Sequence, residues 1–189
     1  MNILTIDTTT SDMVVLLVRD NDVVDGSVYN SGTHHSETLC NAVQQLLARA
    51  DITFADLDAY ACAVGPGSFT GIRIGVATIK GYCTACRKPY IAVNCLQAAG
   101  ESAQLGAWHK AMIDAGNGYY FADYANDVQP CLVPYDFAEA NPDVPVSAVA
   151  SDRLDGIVTL VRTKFTAGEF DSDLQPLYIR KSQAEELRK

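Results

Sequence analysis

The pattern of hydrophobic and polar positions in the first half of the chain predicts alternating strands and helices. Short apolar or β-branched runs bounded by turn residues are typical of strands, and the polar turn at residues 7–11 indicates a hairpin. Apolar residues at helical spacing then predict amphipathic helices. The order of three strands, helix, strand, helix and strand is typical of a mixed sheet with helices on its faces. The predicted strands are 2–6, 13–19, 23–29, 59–64 and 90–93, and the predicted helices are 36–50 and 72–86.

The second half of the chain has a weaker pattern and predicts a smaller unit. A stretch punctuated by prolines, ending at Pro145, receives no assignment. We therefore expect a first domain at 1–94, a smaller second domain at 95–176 and a tail helix within 177–189. The predicted elements are a helix at 96–104, strands near 110–113, 119–124 and 146–150, a helix at 153–164 and a charged helical end at 182–189.

The composition predicts a soluble protein that does not bind nucleic acid strongly by itself. The formal net charge is −9, and the Lys and Arg residues are scattered, so no basic stripe is available to follow phosphates. No apolar run reaches the roughly 20 residues that span a bilayer, so no contact with a membrane is expected. Six cysteines, mostly in apolar runs and without a signal peptide, predict reduced thiols in the cytoplasm.

The cysteine and histidine spacing does not predict a metal site. Cys83 and Cys86 form one C-x-x-C, which fits a redox pair or half of a zinc site, but no second ligand pair accompanies it. Two packed thiols on a helix are the favoured interpretation. His34 and His35 do not form an H-x-x-x-H or H-E-x-x-H pair, so neither a metal nor a cofactor is expected.

The turn after the first predicted strand has the residue types of a phosphate or magnesium site. Asp7, Thr8 and Thr9 place a carboxylate and hydroxyls at a strand end, as in actin-like ATPases. The turn contains no glycine and has no Lys nearby, so a structural turn is favoured over a weak nucleotide or anion contact. The second phosphate loop of such a site would be residues 114–118, which fit a hairpin turn better.

A glycine-rich loop at residues 65–71 joins a buried strand to a helix. It ends at a helix N-terminus, where Ser68 could contact an anion, but Gly71 is followed by Ile72 and Arg73 rather than by Lys and a hydroxyl residue. A tight turn is therefore the favoured interpretation. Ser68 also lacks the G-x-S-x-G context of a hydrolase nucleophile, and no catalytic residue is predicted.

The helix that follows this loop is apolar around most of its circumference. It also contains Gly75, although a glycine inside a helix costs about 1 kcal/mol relative to alanine. These features predict a docking face on two helices, with Gly75→Leu blocking docking while the chain stays folded. The alternative is that both helices only cover the sheet of the same chain. The predicted interface residues are Leu39, Val43, Leu46, Ile72, Gly75, Val76, Ile79 and Tyr82.

Residues 3–9 and 65–77 closely resemble the TsaB (YeaZ) family, a bacterial tRNA threonylcarbamoyladenosine biosynthesis subunit. Residues 35–37 and 176–180 extend the resemblance. It implies an α/β, actin-like fold (sugar kinase, heat-shock protein and actin) with two ribonuclease-H-like units, mixed sheets and flanking helices, the second unit being reduced. The family commonly has an Arg after the Asp-Ala pair at 114–115, whereas this chain has Gly116.

The same resemblance implies a scaffold and activator without catalytic residues or cofactors. Its implied partners are a TsaD-like catalytic paralogue and a TsaE-like ATPase, which together transfer a threonylcarbamoyl group to the adenosine beside the anticodon of ANN-decoding tRNAs. The chain would form a homodimer when alone and would meet tRNA only indirectly. The alternatives are an actin-like phosphotransferase using Asp7 and the 114 loop, a regulatory homodimer, or a peptidase using Ser68.

Overall fold

Two mixed β-sheets with helices on their faces form this protein, whose computed structural model describes residues 1–20, 22–29, 34–103 and 110–179. The first sheet contains β1 (Asn2–Asp7), β2 (Met13–Arg19), β3 (Asp22–Tyr29), β4 (Ala59–Gly65) and β5 (Tyr90–Asn94). The second contains β6 (Lys110–Asp114), β7 (Tyr119–Asp123), β8 (Val128–Val133) and β9 (Val146–Ser147). The helices are α1 (His35–Arg49), α2 (Phe69–Cys86), α3 (Cys95–Ser102), α4 (Asp136–Ala140) and α5 (Leu154–Ala167), with 3-10 turns at Phe54–Asp56, Tyr124–Asn126 and Ala150–Arg153.

The four described strands of the second sheet are arranged like four of the five strands of the first sheet. The first sheet runs β3-β2-β1-β4-β5, with β1 antiparallel to β2 and parallel to β4. The second runs β8-β7-β6-β9, with β6 antiparallel to β7 and parallel to β9, and has four strands among the described residues. The second unit is thus a reduced version of the first. This confirms the predicted actin-like arrangement of two ribonuclease-H-like units.

The first sheet is buried on both faces, which explains why its strands read as continuous apolar runs. Because side chains alternate along a strand, Leu4 and Ile6 point to the face that α1 and α2 cover. Ile3 points to the opposite face, where it packs with Ile157 and Val161 of α5. Each helix layer therefore buries its apolar stripe against this one sheet.

Helix α5 belongs to the core of the first sheet although it follows the last strand of the second. Val158 packs in the same cluster as Val14, and Ala98 of α3 joins it. Helix α3 also shares a cluster with Ala111 of β6. The predicted second domain at 95–176 thus contributes side chains to both cores, and the division at residue 94 stays a prediction.

Most predicted elements of the first half are confirmed to within a few residues. In the second half, β9 is shorter than predicted because the chain turns into a 3-10 helix at Ala150. Strand β8 and helix α4 fall in the proline-rich stretch that received no assignment. Pro130 is tolerated in β8 because it stands beside a register shift on an edge strand, where a missing N–H costs little. The predicted tail helix at 182–189 lies outside the described residues, and the described part of the chain contains no helix that could cross a membrane.

Candidate functional site

A cavity of about 620 Å³ lies where the turns of the two units face each other. Its walls come from the turn after β1, the loop between β4 and α2, the turn between β6 and β7, and the C-terminal segment around Tyr178. Thr9, Ser68 and Asp114, which the sequence suggested for a nucleotide site, all line it. The structure therefore brings the two candidate phosphate loops to one cleft.

The glycine-rich loop packs its backbone directly against the turn after β1. Ser68 donates its backbone N–H to the carbonyl of Thr9 at 2.6 Å, and the Thr8 hydroxyl donates to the carbonyl of Gly71 at 2.7 Å. A Cβ on Gly71 would lie 1.9 Å from the Thr8 carbonyl oxygen, and one on Gly67 would lie 2.5 Å from that of Thr9. The glycines are thus required for close approach of two loops within the chain.

Gly75 faces the sheet of its own chain rather than a partner. A Cβ at this position would lie 2.6 Å from the Thr8 hydroxyl oxygen and 3.2 Å from the Cys62 sulfur. The expectation that Gly75→Leu leaves the chain folded is therefore corrected. A leucine there would push α2 away from the sheet.

Most of the predicted docking side chains are buried inside this chain. Because they fill the space between the two helices and the first sheet, they are not exposed to a partner, and the prediction that they contact one directly is corrected. Tyr82 is the exception: it is half-buried and packs its ring against Phe54 at 4.9 Å and Tyr60 at 5.9 Å. The buried residues are Leu39, Val43, Leu46, Ile72, Gly75, Val76 and Ile79.

Asp7 forms a buried ion pair that the sequence did not predict. Its Oδ2 accepts from Nε of Arg153 at 3.0 Å and lies 2.9 Å from Nη2, and both side chains are at most 1% exposed. Its Oδ1 accepts from the backbone N–H of Thr9 at 2.8 Å and from the Thr9 hydroxyl at 2.7 Å. The missing cation beside Asp7 is therefore an arginine located 146 residues away.

Asp12, at the other end of the same turn, is a second buried carboxylate. It accepts from the backbone N–H groups of Ala150 at 2.8 Å and Ser151 at 3.0 Å, and from the Thr10 hydroxyl. Burial raises the pKa of Asp12, but these hydrogen bonds outweigh that effect and bring its pKa below the usual value. The carboxylate thus caps the 3-10 turn that leads to Arg153.

The loop after β6 is a hairpin turn, as favoured from the sequence. Asp114 accepts from the backbone N–H of Gly116 at 2.7 Å, and Ala115 donates to the carbonyl of Gly118 at 2.9 Å. Both glycines have positive φ angles, of 77° and 144°, which L side chains rarely adopt. The glycine at 116 therefore serves the turn itself.

Ser68 acts as the N-cap of α2. Its hydroxyl accepts from the backbone N–H of Gly71 at 3.2 Å, and no base is hydrogen-bonded to it among the residues that the structure describes. A ring nitrogen of His35 lies 2.9 Å from the carbonyl oxygen of Thr10, which ties the start of α1 to the turn after β1. Within the described ranges, no cluster of three potential metal ligands is present.

The C-x-x-C cysteines are free thiols on α2. Cys83 is buried, and burial raises its pKa to about 12, while Cys86 is half-buried. Such a thiol is almost entirely protonated at neutral pH and is a poor nucleophile. The favoured interpretation, two packed thiols on a helix, agrees with this geometry.

The C-terminal segment closes one side of the cavity. Leu177 donates its backbone N–H to the carbonyl of Val64 at 2.7 Å. The ring of Tyr178 packs on Phe69 at 4.6 Å, and Arg73 lies 3.9 Å above the Phe69 ring while donating to the Tyr178 hydroxyl at 3.1 Å. Leu177 and Tyr178, which belong to the segment that carried part of the family resemblance, thus lie beside the glycine-rich loop.

Fold and cleft together define an actin-like α/β protein whose cleft carboxylate is paired with an arginine of the same chain. The family model described as TsaD, tRNA N6-adenosine threonylcarbamoyltransferase, matches residues 29–129, more than half of the 189-residue chain. The solved structure of YeaZ from Pseudomonas aeruginosa has a similar fold, with a TM-score of 0.75, 22% identity and coverage of 94% of this chain and 100% of that chain.

Two curated relatives show to which family of actin-like proteins the chain belongs. The tRNA threonylcarbamoyladenosine biosynthesis protein TsaB of Escherichia coli (strain K12) is 34% identical over 135 residues, which are 67% of this chain and 56% of the relative. TsaB of Bacillus subtilis (strain 168) is 30% identical over 138 residues, which are 71% of this chain and 60% of the relative. The chain belongs to the TsaB (YeaZ) family. It spans less than two thirds of the length of these two relatives.

The loop geometry predicts opposite effects for alanine at two glycines of the same helix. Gly71→Ala should lower the free energy of unfolding by about 3 kcal/mol, because the new Cβ would overlap the Thr8 carbonyl. Gly81→Ala should raise it by up to about 1 kcal/mol, because a Cβ there meets no atom within 4 Å and alanine favours the helix. Urea unfolding of both variants measures the difference, and equal stabilities would contradict this packing.

The Asp12 carboxylate should contribute to the acid dependence of stability. Because its pKa is lower in the folded chain, its contribution is present above the unfolded pKa of about 3.9 and is lost as the pH falls through the folded pKa. Asp12→Asn should cost about 2 kcal/mol at pH 7 and should flatten the decline of the unfolding free energy below about pH 5. Urea unfolding from pH 7 to pH 3 measures both, and parallel curves for variant and wild type would contradict the assignment.

Proposed function

We propose that this chain acts in tRNA threonylcarbamoyladenosine biosynthesis as a non-catalytic subunit that binds a TsaD-like paralogue. Family membership and the function for which the two TsaB relatives are named support this pathway. The observation that supports a non-catalytic role is the Asp7–Arg153 pair, because both oxygens of the carboxylate that could hold a magnesium ion are already occupied within the chain.

The remaining features of the proposal follow from the family resemblance. A TsaE-like ATPase would join the assembly, and the TsaD-like paralogue would transfer the threonylcarbamoyl group to the adenosine beside the anticodon. With a net charge of −9, this chain is poorly suited to bind tRNA phosphates, so tRNA would be held by the partners. This is a cytoplasmic process, and the chain would pair with itself when the paralogue is absent.

We assign the docking surface to the outward side of α2, beside the buried residues that the sequence predicted as the interface. Ala77, Gly81 and Ala85 are exposed there, with Ile74 and Tyr82 half-buried next to them. These small, uncharged side chains allow another helix to come within the 8–10 Å at which helices pack. A paralogue with the same fold carries a corresponding helix, so the two proteins can pair about an approximate two-fold axis.

The alternative functions have less support in the geometry. A phosphotransferase would need the carboxylate of Asp7 to face the cavity, but Arg153 and Thr9 surround it. A peptidase would need a base beside Ser68, whose hydroxyl instead caps α2. A homodimer that uses the α2 surface is compatible with docking a paralogue. The same surface would bind a second copy of the chain when the paralogue is absent and the paralogue when it is present.

The docking surface predicts that bulk at Gly81 blocks the complex without unfolding the chain. Gly81→Leu should weaken binding to the TsaD protein of the same organism at least about tenfold, because the side chain separates the helices. Its thermal midpoint should stay near that of wild type. Isothermal titration calorimetry and size-exclusion chromatography with light scattering measure binding and assembly.

Two control variants separate docking from folding. Ala167→Leu places the same leucine side chain at an exposed position on α5, which covers the opposite face of the first sheet, and should bind normally. Gly75→Leu should unfold at a lower temperature than wild type, because it points at Thr8 and Cys62. Wild-type affinity of Gly81→Leu would rule out this surface, and failure of the wild-type chain to bind TsaD would rule out the proposed function itself.

A further inference from the structure

A fully buried arginine follows the last strand of the second sheet and pairs with a carboxylate of the first sheet. Arg153 lies between β9 and α5, whereas Asp7 ends β1. A buried carboxylate is stable only if a positive group or several donors neutralise it. Thr9, which hydrogen-bonds both groups, lines the cavity of about 620 Å³, whereas Asp7 and Arg153 are at most 1% exposed. Beside such a cavity the positive group could be a bound ion, but here it is a side chain.

We propose that Arg153 is an internal ligand of the cleft, which takes the place of a bound cation at Asp7 and latches the two units together. The relative position of the units would then be set by the chain itself and would need no small molecule. This inference rests on the geometry of the cleft and is independent of which partner docks on α2.

Every nitrogen of the Arg153 guanidinium has an acceptor. Nε and Nη2 approach Oδ2 of Asp7 at 3.0 and 2.9 Å. Nη1 donates to the Ser147 hydroxyl at 3.1 Å, and Nη2 also donates to the Thr9 hydroxyl. The planar guanidinium thus connects the end of β1 with the end of β9. A lysine ammonium is a compact charge and cannot form this set of hydrogen bonds.

Asp12 strengthens the same connection from the other side of the turn. It accepts the backbone N–H groups of Ala150 and Ser151, which begin the 3-10 turn that ends at Arg153. Asp7 and Asp12 therefore both hold one four-residue turn, which follows the last strand of the second sheet. The partners are 138 to 146 residues apart in sequence, so these contacts join the two units rather than neighbouring segments.

The latch also determines where α5 begins. Helix α5 starts at Leu154, directly after Arg153, and packs Ile157 and Val161 against the first sheet. Holding Arg153 at Asp7 therefore fixes the start of the helix that covers this face. Opening the latch should loosen the turns at 7–12 and 147–153 before it affects the centre of the sheet.

Chemical rescue tests the internal ligand. Arg153→Ala should lower the thermal midpoint by roughly 10 °C, because Asp7 is left buried without its partner. Ethylguanidinium at about 10 mM, which matches the atoms removed, should restore at least half of that loss, whereas ethylammonium and NaCl at the same concentration should not. Rescue should disappear in Asp7→Asn/Arg153→Ala, because the added ion has lost its carboxylate.

Arg162→Ala is the matched control, since Arg162 is a partly buried arginine on α5, the helix that follows Arg153, and its Nε has no hydrogen-bond partner. The thermal midpoint of Arg162→Ala should not rise when ethylguanidinium is added. Should Arg153→Ala fail to fold, Arg153→Lys provides the second test. It keeps the positive charge but not the planar guanidinium, so its thermal midpoint should fall by several degrees. A midpoint equal to wild type in Arg153→Lys, or equal rescue of Arg153→Ala and Arg162→Ala, would overturn the proposal.

Hydrogen exchange distinguishes a latch from general core packing. In Arg153→Lys, the backbone amides of Thr9, Ala150 and Ser151 should exchange at least tenfold faster than in wild type, while those of β2 keep their rates. A uniform loss of protection along the chain would show that Arg153 stabilises the core as a whole and would contradict the latch. TsaD binding plays no part in either measurement, so failure here is distinguishable from failure of the proposed function.

Discussion

The neutralisation of one buried carboxylate is the constraint on which the arrangement of this protein depends. Asp7 ends the central strand of the first sheet with 1% exposure, so its charge must be balanced by donors brought from elsewhere in the chain. Arg153 supplies the charge, and Asp12 holds the turn that presents Arg153. The cleft of an actin-like fold is thereby connected by the chain's own groups, and α5 is placed against the first sheet as a result.

A second constraint is the close packing of backbone against backbone around the turn after β1. Gly67 and Gly71 let the glycine-rich loop lie on Thr8 and Thr9, and Gly75 lets α2 approach the sheet. These glycines each lower helix or loop stability by themselves. Contacts within the chain offset this cost. The glycine in an apolar helix, which suggested an interface with a partner, therefore serves the packing of α2 on the first sheet.

The two faces of the first sheet therefore have different roles in the proposed function. On one face, α5 is held in place by the ion pair and completes the core. On the other, α2 buries its large apolar residues and leaves Ala77, Gly81 and Ala85 exposed. A helical surface of small side chains has the property expected of a docking face, because another helix can approach it closely.

The sequence by itself determined the elements of the first half, the two-unit architecture through family resemblance, and the hairpin turn at 114–118. These depend on local periodicity, turn residues and motifs that can be read within a few neighbouring positions. The tertiary structure alone decided the pairing of Asp7 with Arg153, because attraction between residues 146 positions apart leaves no local pattern. It also decided which surface covers Leu39, Val43 and Ile79, because helical periodicity shows that a side is apolar but not whether the chain's own sheet or a partner lies against it.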